Sequence, residues 1–109
     1  MAKLEVRKNG NAVILSIKGR HTLHDKADFQ AMLEDIKASG GSTLCVDVSA
    51  MEYVDSSGIG DLIKVKMESG KIFEQLLVYG MSEAVARSFR VSGLLQLFEI
   101  IDEAHFRTL

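Results

Sequence analysis

The chain has no proline, no tryptophan and a single cysteine among its 109 residues. Without proline there is no cis-proline switch to invoke. One thiol cannot close an internal disulfide, so the fold must rest on its packed core. Cys45 lies inside the apolar run Thr43–Val48, where a buried structural thiol in a reducing cytoplasm is the expected reading. A basic excess is also missing: 13 Lys and Arg face 15 Asp and Glu, for a net charge of −2. That balance argues against nucleic acid, which is held by displacing phosphate counterions. No apolar run approaches the ~20 residues of a membrane span. The start, Met1-Ala2-Lys3-Leu4-Glu5, mixes charges and lacks the apolar stretch of a signal peptide. A cytoplasmic domain covering residues 1–109 is expected, with no linker, no repeat and no membrane insertion.

The apolar pattern is that of an α/β chain. Leu4–Arg7 and Ala12–Lys18 flank Asn9-Gly10, a strong hairpin signal. In the second strand Val13, Leu15 and Ile17 share one face, while Ile14 shares the other with Ser16 and Lys18, which predicts only partial cover there. A helix is expected from about Asp25 to Ala38, with Thr22 or His24 as its cap and Phe29, Met32, Leu33 and Ile36 on one stripe. Gly40-Gly41 stops it. Thr43–Val48 reads as a strand inside the sheet. A second helix runs to about Ser69, capped by Ser56 or Asp55, with Ile59, Leu62, Ile63 and Met67 inward and Asp61, Lys64 and Glu68 in water. Strand Phe73–Tyr79, a helix capped by Ser82 and ended by Gly93, strand Leu97–Ile101 and a short helix within Asp102–Thr108 complete the order ββαβαβαβα. This predicts a mixed four- to five-stranded sheet that opens with an antiparallel hairpin and packs against about four helices, joined by right-handed crossovers.

The segment with most chemical content is Asp55-Ser56-Ser57-Gly58-Ile59-Gly60. It follows an apolar run of strand character and opens the second helix. A phosphate on Ser56 would add roughly 1.5 to 2 negative charges at a helix start, where the backbone N–H groups tolerate it. Two glycines leave little bulk to keep a partner away. A partner packed over Gly58 and Gly60 would meet a bulky dianion, and a hundredfold loss of affinity needs only about 2.7 kcal/mol. The competing reading is a plain helix cap.

Catalytic readings fail on spacing. A nucleophile elbow needs Gly two residues before the serine, where Val54 and Asp55 stand. Gly58-Ile59-Gly60 lacks the third glycine of a dinucleotide loop, since Ile63 occupies that place. Asp47, near a strand end, is the sharpest rival as a phosphoaspartate receiver, but no adjacent acidic pair is available to hold magnesium. His21, His24 and Asp25 have ligand chemistry, yet three such residues in a loop are ordinarily solvated. No metal and no cofactor are expected. Met32, Met51, Met67 and Met81 read as core or rim.

The same segment, with the strand Leu44-Cys45-Val46-Asp47-Val48 and Met51 to Val54 before it, resembles the signature of STAS domains, specifically the stand-alone bacterial anti-sigma factor antagonists. Ser82-Glu83-Ala84-Val85 through Val91-Ser92-Gly93-Leu94, then Leu97-Phe98-Glu99-Ile100, resembles the family's last helix and strand. The resemblance implies a non-enzymatic partner-switching regulator of transcription. It makes Ser56 the acceptor of phosphate from a serine kinase with a histidine-kinase-like ATPase domain, often itself the anti-sigma factor. A PP2C-type serine phosphatase would reverse the modification. Asp55, Ser57, Gly58 and Gly60 would shape the docking turn. Many members carry an acidic residue after the glycine ending the second strand; here Arg20-His21-Thr22-Leu23 follows Gly19. Arg20 and Thr22 therefore join the expected partner contacts, with Arg20 able to pair with phosphoserine. The alternative is a structural STAS subunit of a larger complex, in which Ser56 only caps its helix.

Overall fold

The computed structural model describes all of residues 1–109. Strand β1 (Ala2–Asn9) pairs antiparallel with β2 (Ala12–His21), and Asn9 faces Ala12 across a two-residue loop. The hairpin is the expected one, but its centre is Gly10-Asn11 rather than Asn9-Gly10. Gly10 takes a φ of +62° while Asn11 stays at negative φ, as a loop with glycine in first place requires.

β3 (Thr43–Asp47) then pairs parallel with β2, β5 (Gln75–Tyr79) with β3, and β6 (Glu99–Ile101) with β5. These strands form the path β1-β2-β3-β5-β6. A sixth, β4 (Met51–Val54), lies off that path and pairs parallel with the far end of β2. The apolar run before the Asp55 turn is thus a strand in its own right and extends the expected four- to five-stranded sheet. β2 serves two parallel neighbours because it bends: Gly19 has a φ of +84°, and the register with β4 shifts between Gly19 and Arg20. Beyond that bend β2 delivers Arg20 beside Tyr53 and His21 beside Val54.

Helices α1 (Lys26–Ser39), α2 (Ser56–Ser69), α3 (Glu83–Ser92) and α4 (Glu103–Phe106) complete the α/β fold. Two 3-10 turns, Leu23–Asp25 and Leu94–Gln96, precede α1 and follow α3. The main core gathers Val13, Leu15 and Ile17 of β2 with Phe29, Leu33 and Ile36 of α1, Leu62 and Val65 of α2, and Val85 and Phe89 of α3. α1 and α2 are also joined along their half-buried rims, where Lys37 donates to Glu68 at 2.7 Å. Glu68 is therefore half-buried rather than free in water.

The second face of the sheet is more covered than β2 alone predicts. Ile14 is fully buried in a cluster with Cys45, Leu77 and Ile101. The cover comes from the C-terminal segment: the Phe106 ring stacks on Tyr79 at 4.1 Å, and the Leu109 carbonyl accepts from Asn9 Nδ2 at 2.8 Å. Burial, with a smaller contribution from Asp47, pushes the Cys45 thiol up to about 12. The thiolate is the nucleophile, so this group is inert in the fold. Native protein at about pH 8, near the ordinary thiol value, should resist an iodoacetamide-type reagent, and should be alkylated once at Cys45 after denaturation. Rapid labelling of the native protein, read by intact mass, would show that this face opens.

Candidate functional site

The Asp55 turn is built by its own carboxylate. Asp55 is the N-cap of α2: Oδ1 accepts from the Gly58 N–H at 2.8 Å. The other oxygen, Oδ2, accepts from the Leu23 N–H at 3.2 Å, and the Asp55 N–H donates to the His21 carbonyl at 3.2 Å. One residue thus starts the helix and ties it to the segment that follows the β2 bend. Ser56 is the first helical residue, exposed, and its hydroxyl makes no hydrogen bond within the chain. The reading of Ser56 as a cap is therefore corrected: a serine one place inside the helix start is beyond the capping position, which Asp55 holds. Ser57 is half-buried.

The two glycines do different things. Gly58 is buried, and a Cβ there would stand 2.7 Å from Val54 Cγ2 and 2.8 Å from the His21 carbonyl oxygen. Its lack of a side chain lets α2 pack onto the end of β2, so it shapes the turn from inside. Gly60 is exposed, with open space where a Cβ would go.

Beneath the turn lies a polar cluster that loop composition hides. His21 is fully buried, with Nε2 3.1 Å from Asp61 Oδ2 and its ring 4.9 Å from that of Phe29. Its Nδ1 faces no polar partner. Asp61, itself buried, also has Lys26 Nζ 3.6 Å from Oδ1. Asp25 is buried as well, accepting from the Ala2 N–H and the Thr22 N–H, each at 2.9 Å. Burial pushes the Asp25 carboxyl up, but these two N–H groups, His21 and the N-terminus more than offset it and hold it below the ordinary value. His21 and Asp25 are thus not solvated loop residues, and Asp61 does not stay wet. Only His24 of that trio is exposed, and no group of three or more His, Cys, Asp or Glu side chains is arranged to hold a metal.

The reason is register. Val13, Leu15, Ile17 and His21 keep the same parity along β2, so the strand carries His21 inward past the bend. On α2 the buried set is Gly58, Asp61, Leu62, Val65 and Ser69. Of the expected stripe Leu62 is buried, Ile59 and Ile63 are half-buried against the core and Met67 is exposed, so the inward face is rotated away from Met67. The bare face of Gly58 allows the close approach that accompanies this rotation, and the small Ser69 is buried on the same side.

Thr22 is spent on the 3-10 turn, its Oγ1 accepting from the His24 N–H at 3.4 Å. Arg20 lies with its guanidinium 4.4 Å from the centre of the Tyr53 ring. The structure brings Asp55, Ser56, Ser57 and the Thr22–Leu23 segment together, with Arg20 to one side over Tyr53. Asp47 is elsewhere, its Oδ1 accepting from the Ser49 N–H and hydroxyl at 2.9 and 2.6 Å to hold the turn before β4.

Sequence reasoning did not find the wall opposite Ser56. An open groove of about 330 Å³ is lined by Asp55, Ser56 and Ile59 on one side and Arg87, Ser88 and Val91 of α3 on the other. Val91 is 84% exposed and Leu23, bonded to Asp55, 61%. Val91 lies in the groove and Leu23 beside the turn, so each leaves apolar surface open near Ser56. Val91 could have been found as the apolar residue of α3 that falls off the Val85–Phe89 stripe.

A family model described as "Mlab, STAS domain" matches residues 4–101. The chain belongs to the STAS domain family. The anti-sigma-B factor antagonist of Listeria monocytogenes is 28% identical over 68 residues, 62% of this chain and 60% of that protein. The match thus spans less than two thirds of the relative's length. Among solved structures, an anti-sigma factor antagonist from Mycobacterium paratuberculosis superposes with a TM-score of 0.82 at 20% identity, over 92% of this chain and 85% of that one. The Bacillus cell fate determinant SpoIIAA in its phosphorylated form gives 0.68 at 20% identity over the whole of both chains. This STAS domain therefore shares the SpoIIAA-like fold, with its opening hairpin and four helices.

Two pairs of variants test the turn by chemical denaturation. Gly58→Ala should lose about 1 to 3 kcal/mol through overpacking, while Gly60→Ala should be neutral or gain up to about 1 kcal/mol from helix propensity. Asp55→Ala should cost about 1 to 2 kcal/mol as a lost cap, and Ser56→Ala should stay within about 0.5 kcal/mol. A reversed order within either pair would contradict the geometry above.

Proposed function

We propose that this STAS domain is a phosphorylation-controlled partner-switching regulator, with Ser56 as its acceptor. The observation that carries the reading is the division of labour at the turn: Asp55 supplies the cap, and the exposed Ser56 hydroxyl supports nothing in the fold. Phosphorylation there can change the surface without unfolding the domain. The distant relatives named as anti-sigma factor antagonists, and a similar fold solved in a phosphorylated form, support it.

In this reading a serine kinase of the histidine-kinase-like ATPase type, which also serves as the anti-sigma factor, docks on the Ser56 surface. It moves the γ-phosphoryl group of ATP to Ser56 Oγ; the hydroxyl proton is lost and ADP leaves. The dianion then excludes the partner. A PP2C-type phosphatase hydrolyses the ester and restores binding. The domain contributes no catalytic group and needs no cofactor, and the exchange takes place in the cytoplasm. Leu23, Val91, Tyr53 and Arg20 border the turn and supply the contact surface, with Asp55 and Gly58 setting its shape.

The STAS family match is met equally by a second reading, a constitutive subunit of a larger assembly in which Ser56 carries no phosphate. Ser56→Ala and Ser56→Asp baits separate the two by affinity capture from native lysate with quantitative mass spectrometry. The switch predicts an ATPase-domain protein retained by Ser56→Ala and depleted tenfold or more by Ser56→Asp, a loss of about 1.4 kcal/mol or more. Identical captures would defeat the switch and leave the constitutive subunit.

A further inference from the structure

The groove beside Ser56 contains one cation, Arg87. Arg87 also lines the adjoining groove of about 230 Å³, together with Glu52 and Tyr53, so it is shared by the two grooves. It forms no ion pair and lies over no ring within the chain; Glu52, though in the adjoining groove, is beyond ion-pair distance. The other cations near the turn are engaged: Arg20 on the Tyr53 ring and Lys26 with Asp61. The one carboxylate in the groove, Asp55, has both oxygens occupied by backbone N–H groups. Ser88 and Ser92, whose hydroxyls donate to helix carbonyls of α3, complete the opposite wall.

We infer that Arg87 is the intramolecular receptor of a phosphoryl group on Ser56. The inference rests on the switch reading and adds its second half. A guanidinium facing a phosphate forms charge-assisted, often paired hydrogen bonds. Closing that pair across the groove fills the gap between α2 and α3 and withdraws Arg87 from the surface a partner would use. Phosphorylation then removes an arginine contact as well as adding a dianion. Arg20 does not fill this role, because it does not line the groove.

The test uses the full chain with phosphoserine encoded at position 56, titrated by ³¹P NMR. Free phosphoserine loses its second proton near pH 6. A paired guanidinium favours the dianion, so the midpoint in the parent should lie below that of Arg87→Ala by roughly half a unit, about threefold in acid constant. Arg87→Lys should fall between them and Arg20→Ala should match the parent. Any effect of the helix start is common to all four and cancels. Equal midpoints for the parent and Arg87→Ala, with both folded by amide spectra, would overturn the inference. Partner affinity measured on the same phosphorylated samples tests the switch separately: a partner still bound to the phosphorylated parent defeats the switch, whatever the midpoints show.

Discussion

The structure turns on one contact made by a residue with no side chain, the face of Gly58 against the His21 carbonyl and the Val54 methyl. Because α2 can sit that close, the Asp55 carboxylate reaches both the Gly58 and Leu23 N–H groups. Those bonds fix where the helix begins and hence where Ser56 is displayed. The same approach seals His21, Asp61 and Phe29 beneath the turn. A buried polar cluster of this kind costs stability unless its partners are in place. The Gly58 contact and the His21–Asp61 bond therefore hold the display site from below, while its outer surface stays free to change.

What could be read from the chain followed local chemistry. The hairpin, the Gly40-Gly41 stop, the Ser82 cap and the helix after Asp55 each depend on residues adjacent in sequence, and each is present. The strongest functional signal, the Asp55–Gly60 segment, was equally local. Its resemblance to STAS antagonists agrees with the family match over most of the chain.

Where the reading failed, long-range pairing was the cause. The burial of His21 depends on β2 continuing past Gly19 to meet β4, which no residue near His21 announces. The rotation of α2 accompanies the burial of small residues at Gly58 and Ser69, where an apolar count gives weight to Ile59 and Met67 instead. Cover over Ile14 comes from a segment more than ninety residues away, with Phe106 on Tyr79 and Leu109 on Asn9. The wall of α3 that faces Ser56 is legible only once the two helices are placed side by side.

The two ends of the β1-β2-β3-β5-β6 path are guarded unequally. β6 is three residues long, and its brevity limits how far another strand can pair with it. β1 is eight residues long and would be the better template, but Lys3, Arg7 and Lys8 are exposed along it. Glu5 is held there between Lys3 and Lys18 at 3.2 Å each. A second copy pairing in register would bring like charges directly opposite one another. This edge therefore resists sheet-to-sheet growth at high concentration, and added salt, by screening those charges, is what would weaken that resistance.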